Sequence, residues 1–184
     1  DYYEKTINCL QIPLAKLLKE GFNAGKGYIR PPKRIGSATA LAAIILQSNQ
    51  NDMYGGQSFH RFETAMAPYV PAGYAEASSV LQADCSPEEK AAAAQTIEKM
   101  RNTVYQAMEG LVYNLNSMHS RAGAQVPFSS VNFGTGTSPE ERLVIEQLLL
   151  AFEKGLGRGE TPLFPNLIFR LKKGINTDPG DPNY

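Results

Sequence analysis

The chain has no tryptophan, only two cysteines and two histidines, and no excess charge of either sign. Cys9 and Cys85 are too few for a disulfide framework or a Cys-x-x-Cys metal site, so no structural zinc is expected within these 184 residues. Lys plus Arg is 18 and Asp plus Glu is 18. That balance speaks against DNA or RNA as a partner and against an anionic membrane surface. The longest apolar runs, Ala38 to Leu46 and Leu148 to Phe152, fall far short of a bilayer span. An initiator methionine, a secretory leader and a targeting motif are also lacking. The chain opens in Asp1-Tyr2-Tyr3 and stops at Asp181-Pro182-Asn183-Tyr184, so both ends read as cut from something longer. What is present is 42% apolar and 20% charged, which excludes a disordered tail. A chain of this length buries roughly 70% of the surface its unfolded form exposes, and the expectation is a soluble, cytoplasmic protein with a core.

The pattern of residues predicts an α/β fold, rich in helix. Thr6 to Ile12 alternates apolar and polar side chains up to Pro13, as a half-buried strand would. Leu14 to Phe22 has helical spacing, and Gly21, Gly25 and Gly27 then supply a loop stiffened by Pro31-Pro32. A second, buried helix should begin at Ser37 and end in the polar run Gln47 to Asp52, ahead of Gly55-Gly56. Phe59 to Val70 reads as a further helix and Pro71 to Asp84 as less regular chain. Ser86-Pro87-Glu88-Glu89 and Ser138-Pro139-Glu140-Glu141 each place Ser at N-cap, Pro at N1 and Glu at N3, the signature of a capping box. The first opens a helix of about 30 residues, or about 45 Å, whose length suggests a partner helix or a second subunit. Val126 to Phe133 should be a strand, turned by Gly134-Thr135-Gly136-Thr137 into a helix from Pro139 to Lys154, and Asn166 to Leu171 a further strand.

Four places offer chemistry, each with a plainer alternative. Cys9, presented from a strand, has the makings of a nucleophile, a metal ligand or a hydrogen-atom donor, or else is an inert core thiol. Gly55-Gly56-Gln57-Ser58 permits close backbone approach to a ligand and adds an amide and a hydroxyl, or is a turn capped by Ser58. In Ser120-Arg121-Ala122-Gly123-Ala124-Gln125 the small residues let a loop change conformation and Arg121 can hold a phosphate or a base; the alternative is an ordinary helix C-terminus. Gly134 to Ser138 can bind an anion through backbone N–H groups or simply cap a helix. His60 and Cys85 read as helix-face or loop residues.

Several motifs in order resemble the class III, oxygen-sensitive anaerobic ribonucleoside-triphosphate reductases. They are Asn8-Cys9, Gly21-Phe22, Gln47 to Asp52 with Tyr54 to Ser58, Ala67-Pro68-Tyr69-Val70, Asn114 to Phe128, Gly134 to Ser138, Glu160 to Pro165 and Gly180 to Tyr184. The chain departs from the family in having Gly136 where Asp is common and Glu141 where Gly is common. The resemblance implies a ten-stranded α/β barrel made of two half-barrels, with residues 1–184 supplying roughly the first half as a partial catalytic domain. It implies an upstream regulatory nucleotide domain, and a downstream thiyl cysteine, zinc site and C-terminal glycyl-radical loop, none of them within this stretch.

By the same resemblance Cys9 is catalytic, lying across the ribose from the thiyl cysteine, and Asn8, Gly55, Gly56, Gln57 and Ser58 border the substrate. Ser120, Arg121, Gly123 and Gln125 belong to a loop that carries effector identity to the base pocket. The implied partners are a nucleoside triphosphate substrate, dNTP or ATP effectors, formate, an iron-sulfur S-adenosylmethionine-dependent activase, and a second copy in a homodimer. The rival readings are another glycyl-radical enzyme, of the pyruvate formate-lyase kind, and a non-catalytic nucleotide-binding or dimerising module.

Overall fold

The computed structural model describes residues 9–184. Asn8 and the first part of the strand expected from Thr6 lie outside the described residues. Four strands form one parallel sheet in the order β1 (Leu10–Ile12), β4 (Gln57–Phe59), β5 (Ser129–Phe133), β6 (Asn166–Phe169). Two more strands, β2 (Phe22–Asn23) and β3 (Tyr28–Ile29), make a small antiparallel ribbon. The ribbon replaces the plain glycine loop expected there, and it ends the preceding helix α1 (Leu14–Glu20) before Phe22.

Helix α2 (Ile35–Gln50) starts two residues before Ser37, because Ile35 is itself buried and ties the first turn to the core. The expected helix over Phe59 to Val70 is shorter. Phe59 closes a strand, Arg61 has a left-handed φ of 51°, and only α3 (Phe62–Met66) is α-helical before a 3-10 turn at Ala67–Tyr69. The stretch read as irregular holds α4 (Tyr74–Gln82). The two capped helices are as the sequence requires: α5 (Pro87–Ser117) has 31 residues, α6 (Pro139–Lys154) has 16, and both capping boxes are formed.

Helix α5 buries Ile97, Val104, Met108, Leu111 and Leu115 against α2, α4 and α6, so its partner helices belong to its own chain. The core gathers on one side of the sheet, where Ile12, Phe59 and Val131 stand in register. Because successive side chains of a strand point to opposite faces, Cys9, Gln11, Ser58, Ser130 and Asn166 share the other side. There Cys9, Gln11, Asn166 and Ile168 are exposed. Parallel sheets normally have both faces covered, and a sheet open on one polar face is the geometry of a barrel wall seen without its opposite wall.

Candidate functional site

Cys9 stands just before β1 at the rim of a cleft of about 380 Å³ bordered by Gln11, Gly56, Ser58 and Ser130. The thiol is exposed on the open face, not packed in the core as the inert alternative requires. Leu10 donates its N–H to the Gly56 carbonyl (3.2 Å), and Gln57 donates its own to the Phe128 carbonyl (2.9 Å). Gly55 leads into the site and Gly56 to Ser58 form its middle wall. Gln57 and Ser58 are therefore strand residues, not the turn of the plainer alternative. Gly56 has a steric reason to be glycine, since a Cβ there would stand 3.2 Å from the Phe128 ring.

Gln57 is 1% exposed, and its burial follows from two hydrogen bonds. Its amide donates to the Leu46 carbonyl and accepts from Asn49 Nδ2, both at 2.8 Å. Its side chain thus points away from the cleft, toward the end of α2. Ser58 shows the opposite condition: its Oγ is buried and lacks a hydrogen-bond partner among the described residues. Ser130, which sequence reasoning missed, completes the wall, its hydroxyl 3.4 Å from the Gln57 carbonyl. Only the parallel register Gln11, Ser58, Ser130 brings it to Cys9; no spacing in the sequence announces that pairing.

The loop from Ser120 to Gln125 is a separate cluster beside the end of α2. Arg121 and Gln125 form an isolated antiparallel bridge that closes the loop. Arg121 Nη2 donates to the carbonyls of Gln50 and Met53, and its guanidinium lies 5.4 Å from the centre of the Tyr54 ring. The Ser120 hydroxyl donates to Gln50 Oε1, while Gly123 and Gln125 are exposed at the tip. Gly123 (φ 88°) and Ala124 (φ 61°) make the turn in left-handed conformations, which favour glycine at the first of them.

The glycine turn before α6 differs from its reading as an anion site. Glu63, 0% exposed, accepts the N–H groups of Thr135 and Gly136 at 3.0 Å each. Glu141 accepts those of Thr137 (3.0 Å) and Ser138 (3.1 Å). The donors that would hold a phosphate are thus taken by the chain's own carboxylates. The C-terminal motif is also structural: Asn183 donates to the Gly136 carbonyl (2.6 Å) and Asn176 to the Gly134 carbonyl (2.8 Å). Among the described residues no group of three or more His, Cys, Asp or Glu is placed to hold a metal, and no helix is long and apolar enough to cross a membrane.

A parallel sheet with one open polar face that bears a thiol, and with helices behind the other face, is a partial α/β barrel. Comparison with known proteins makes the class specific. The family model "anaerobic ribonucleoside-triphosphate reductase" matches residues 1–184, and the chain belongs to that family. It is 38% identical to the anaerobic ribonucleoside-triphosphate reductase of Haemophilus influenzae over 178 residues, covering 96% of this chain and 25% of that protein. The Escherichia coli protein of the same name is 37% identical over 179 residues, with coverage of 96% and 24%. That of Enterobacteria phage T4 is 36% identical over 182 residues, with 96% and 29%. The chain thus spans about a quarter of the length of the curated relatives it matches. In fold it is similar to the anaerobic ribonucleotide reductase from Thermotoga maritima, whose crystal structure holds dATP and CTP. The TM-score is 0.54 at 15% identity, over 80% of this chain and 24% of that one.

Proposed function

We propose that this chain is the part of an anaerobic ribonucleoside-triphosphate reductase that presents a hydrogen-donating thiol to the ribose of a nucleoside triphosphate. The observation that carries the reading is Cys9 exposed at the head of β1, on the open face of a parallel sheet, in a family whose members bear the reductase name. The overall conversion is a nucleoside triphosphate, formate and a proton to the 2'-deoxynucleoside triphosphate, carbon dioxide and water. In the parent, a glycyl radical installed by an iron-sulfur S-adenosylmethionine-dependent activase would supply the oxidising equivalent for a thiyl that takes the 3' hydrogen atom of the ribose. Zinc finds no ligand set among the described residues, and no step is assigned to it.

The 2'-hydroxyl leaves as water with the proton of the overall conversion, Cys9 gives its S–H hydrogen atom to C2', and formate supplies the hydrogen atom and electron that regenerate the thiol and complete the reduction, ending as carbon dioxide. A hydroxyl in its place holds its hydrogen too strongly. Ser58 lines the cleft, and its buried Oγ is without a partner among the described residues, so it reaches the substrate only if the side chain turns toward the cleft. Gly55 and Gly56 bring the backbone close to the substrate, with Asn8 preceding the thiol in sequence. The open face is closed in the parent by the rest of the barrel, which keeps water and oxygen from the reacting atoms. The Ser120 to Gln125 loop answers to dNTP or ATP effectors, and the parent works as a homodimer.

The test is Cys9→Ser in the full-length enzyme, activated anaerobically. The variant keeps its glycyl radical by electron paramagnetic resonance and its nucleotide binding by calorimetry, yet forms no deoxynucleotide by chromatography. Substantial deoxynucleotide formation would remove Cys9 from the reaction.

A further inference from the structure

The amide of Gln50 is spent on holding one loop by both its ends. Gln50 is the last residue of α2 and 3% exposed. Its Oε1 accepts the Ser120 hydroxyl at the start of the loop, and its Nε2 donates to the Val126 carbonyl just past the loop's end at 3.1 Å. The backbone carbonyl of the same residue accepts from Arg121. One side chain with one acceptor and one donor group is thereby clamped to both feet of residues 120–126, a task that a carboxylate of the same size cannot perform.

The preceding residue faces the other way. Asn49 Nδ2 donates to Gln57 Oε1 at 2.8 Å, and Gln57 Nε2 donates to the Leu46 carbonyl at 2.8 Å. Gln57 is the first residue of β4, whose backbone forms the wall of the Cys9 cleft. The last turn of α2 is therefore bonded on one side to the loop and on the other to the strand that meets the cleft. Hydrogen bonds join the loop to Gln50 and Asn49 to Gln57, and the last turn of α2 carries the link between Gln50 and Asn49 through its backbone, ending at the Gly56 to Ser58 strand beside Cys9.

We infer that Gln50 is a positioning residue for nucleotide selection, acting through Asn49 and Gln57 to pass the stance of the 120–126 loop to the Cys9 cleft. It touches neither substrate nor effector. This inference rests on the proposed function, because it needs the loop to answer a nucleotide. Two sites joined through hydrogen bonds and one rigid helix turn are coupled only if a ligand at one changes the preferred arrangement at the other. The buried amides supply the link: if the loop moves, Gln50 moves with it or leaves its buried polar atoms unpaired.

The test is Gln50→Glu in the full-length activated enzyme, with Asn49→Asp as an independent cut one bond further along. For each variant, kcat/KM is measured for competing ribonucleoside triphosphates with and without each deoxynucleotide effector, and effector binding is measured by calorimetry. The wild type is expected to shift its substrate preference with the effector. Both variants are expected to bind effector and retain effector-free turnover while that shift shrinks by about fivefold or more. A merely structural role predicts loss of turnover or of binding instead, with preference unchanged in what survives. A full effector-dependent shift in both variants overturns the inference, as does a loss confined to folding or binding. If the wild type itself shows no shift, the loop's proposed role falls first and the inference with it.

Discussion

Gly136 is packed too tightly for any side chain: a Cβ there would lie 2.7 Å from both Glu141 Cβ and Glu63 Cγ. The resemblance expects Asp at 136 and Gly at 141, and the crowding around Gly136 would link the two positions, with Glu63 Cγ a further obstacle at 2.7 Å. A side chain at 136 and one at 141 compete for the same space, and this chain fills it from 141. Gly136→Asp by itself is expected to destabilise by about 1–3 kcal/mol through overpacking. Adding Glu141→Gly should return part of that loss, a coupling that urea unfolding of both single variants and the double variant measures. Strict additivity would show that the two positions vary independently.

Among the elements, α6 is the one whose start bears most on the sheet, since its capping turn is also the exit from β5. Burial raises the Glu141 carboxyl, but hydrogen bonds from the Thr64 hydroxyl and the Ser138 and Thr137 groups outweigh it, and the net shift is downward. The sign follows directly. A carboxyl held below its unfolded value of 4.5 adds stability that is fully present above that pH and is lost as pH falls through the lower folded value. Glu141→Gln should lower stability at neutral pH and flatten its decline in acid, read from thermal unfolding across the acid range. An unchanged acid limb would place the sensitivity in other carboxyls, such as Glu89 in the matching box of α5, whose value the Ser86 hydrogen bonds lower. Both helices were legible because a capping box is local: four consecutive residues contain donor, acceptor and the proline that starts the turn. Strand β1 was legible from the alternation that runs up to Ile12, whereas β4 was not, because three residues have no period and Phe59 was drawn into the following helix pattern.

At the scale of the molecule, the open sheet face and its edges govern behaviour. Among the described residues Cys9, Gln11, Asn166 and Ile168 are exposed there, β1 and β6 are the edge strands, and the face opposite holds the core. Edges without partners and a parallel sheet with one bare face favour association. The 184-residue chain expressed by itself is therefore expected to form oligomers or aggregates in sedimentation experiments. A monodisperse monomer that unfolds cooperatively would count against the half-barrel placement.

The sequence by itself determined the α/β class, the two capped helices, the strand before the glycine turn, and the family, because helix caps, periodicity and linear motifs are local in the chain. It also singled out Cys9 and the two polar segments Gly55 to Ser58 and Ser120 to Gln125, though not what each side chain does. Only the tertiary structure decided that Gln57 turns its amide to α2 while Ser58 and Ser130 line the Cys9 cleft, and that Glu63 fills the glycine turn. The same motifs that mark the family prove largely to be cross-links. Asn116 accepts the N–H groups of Leu163 (2.7 Å) and Phe164 (3.1 Å), and Asn183 reaches back to Gly136. The reason is physical: which face a strand residue takes, and which distant carbonyl satisfies a buried amide, depend on register between segments tens of residues apart.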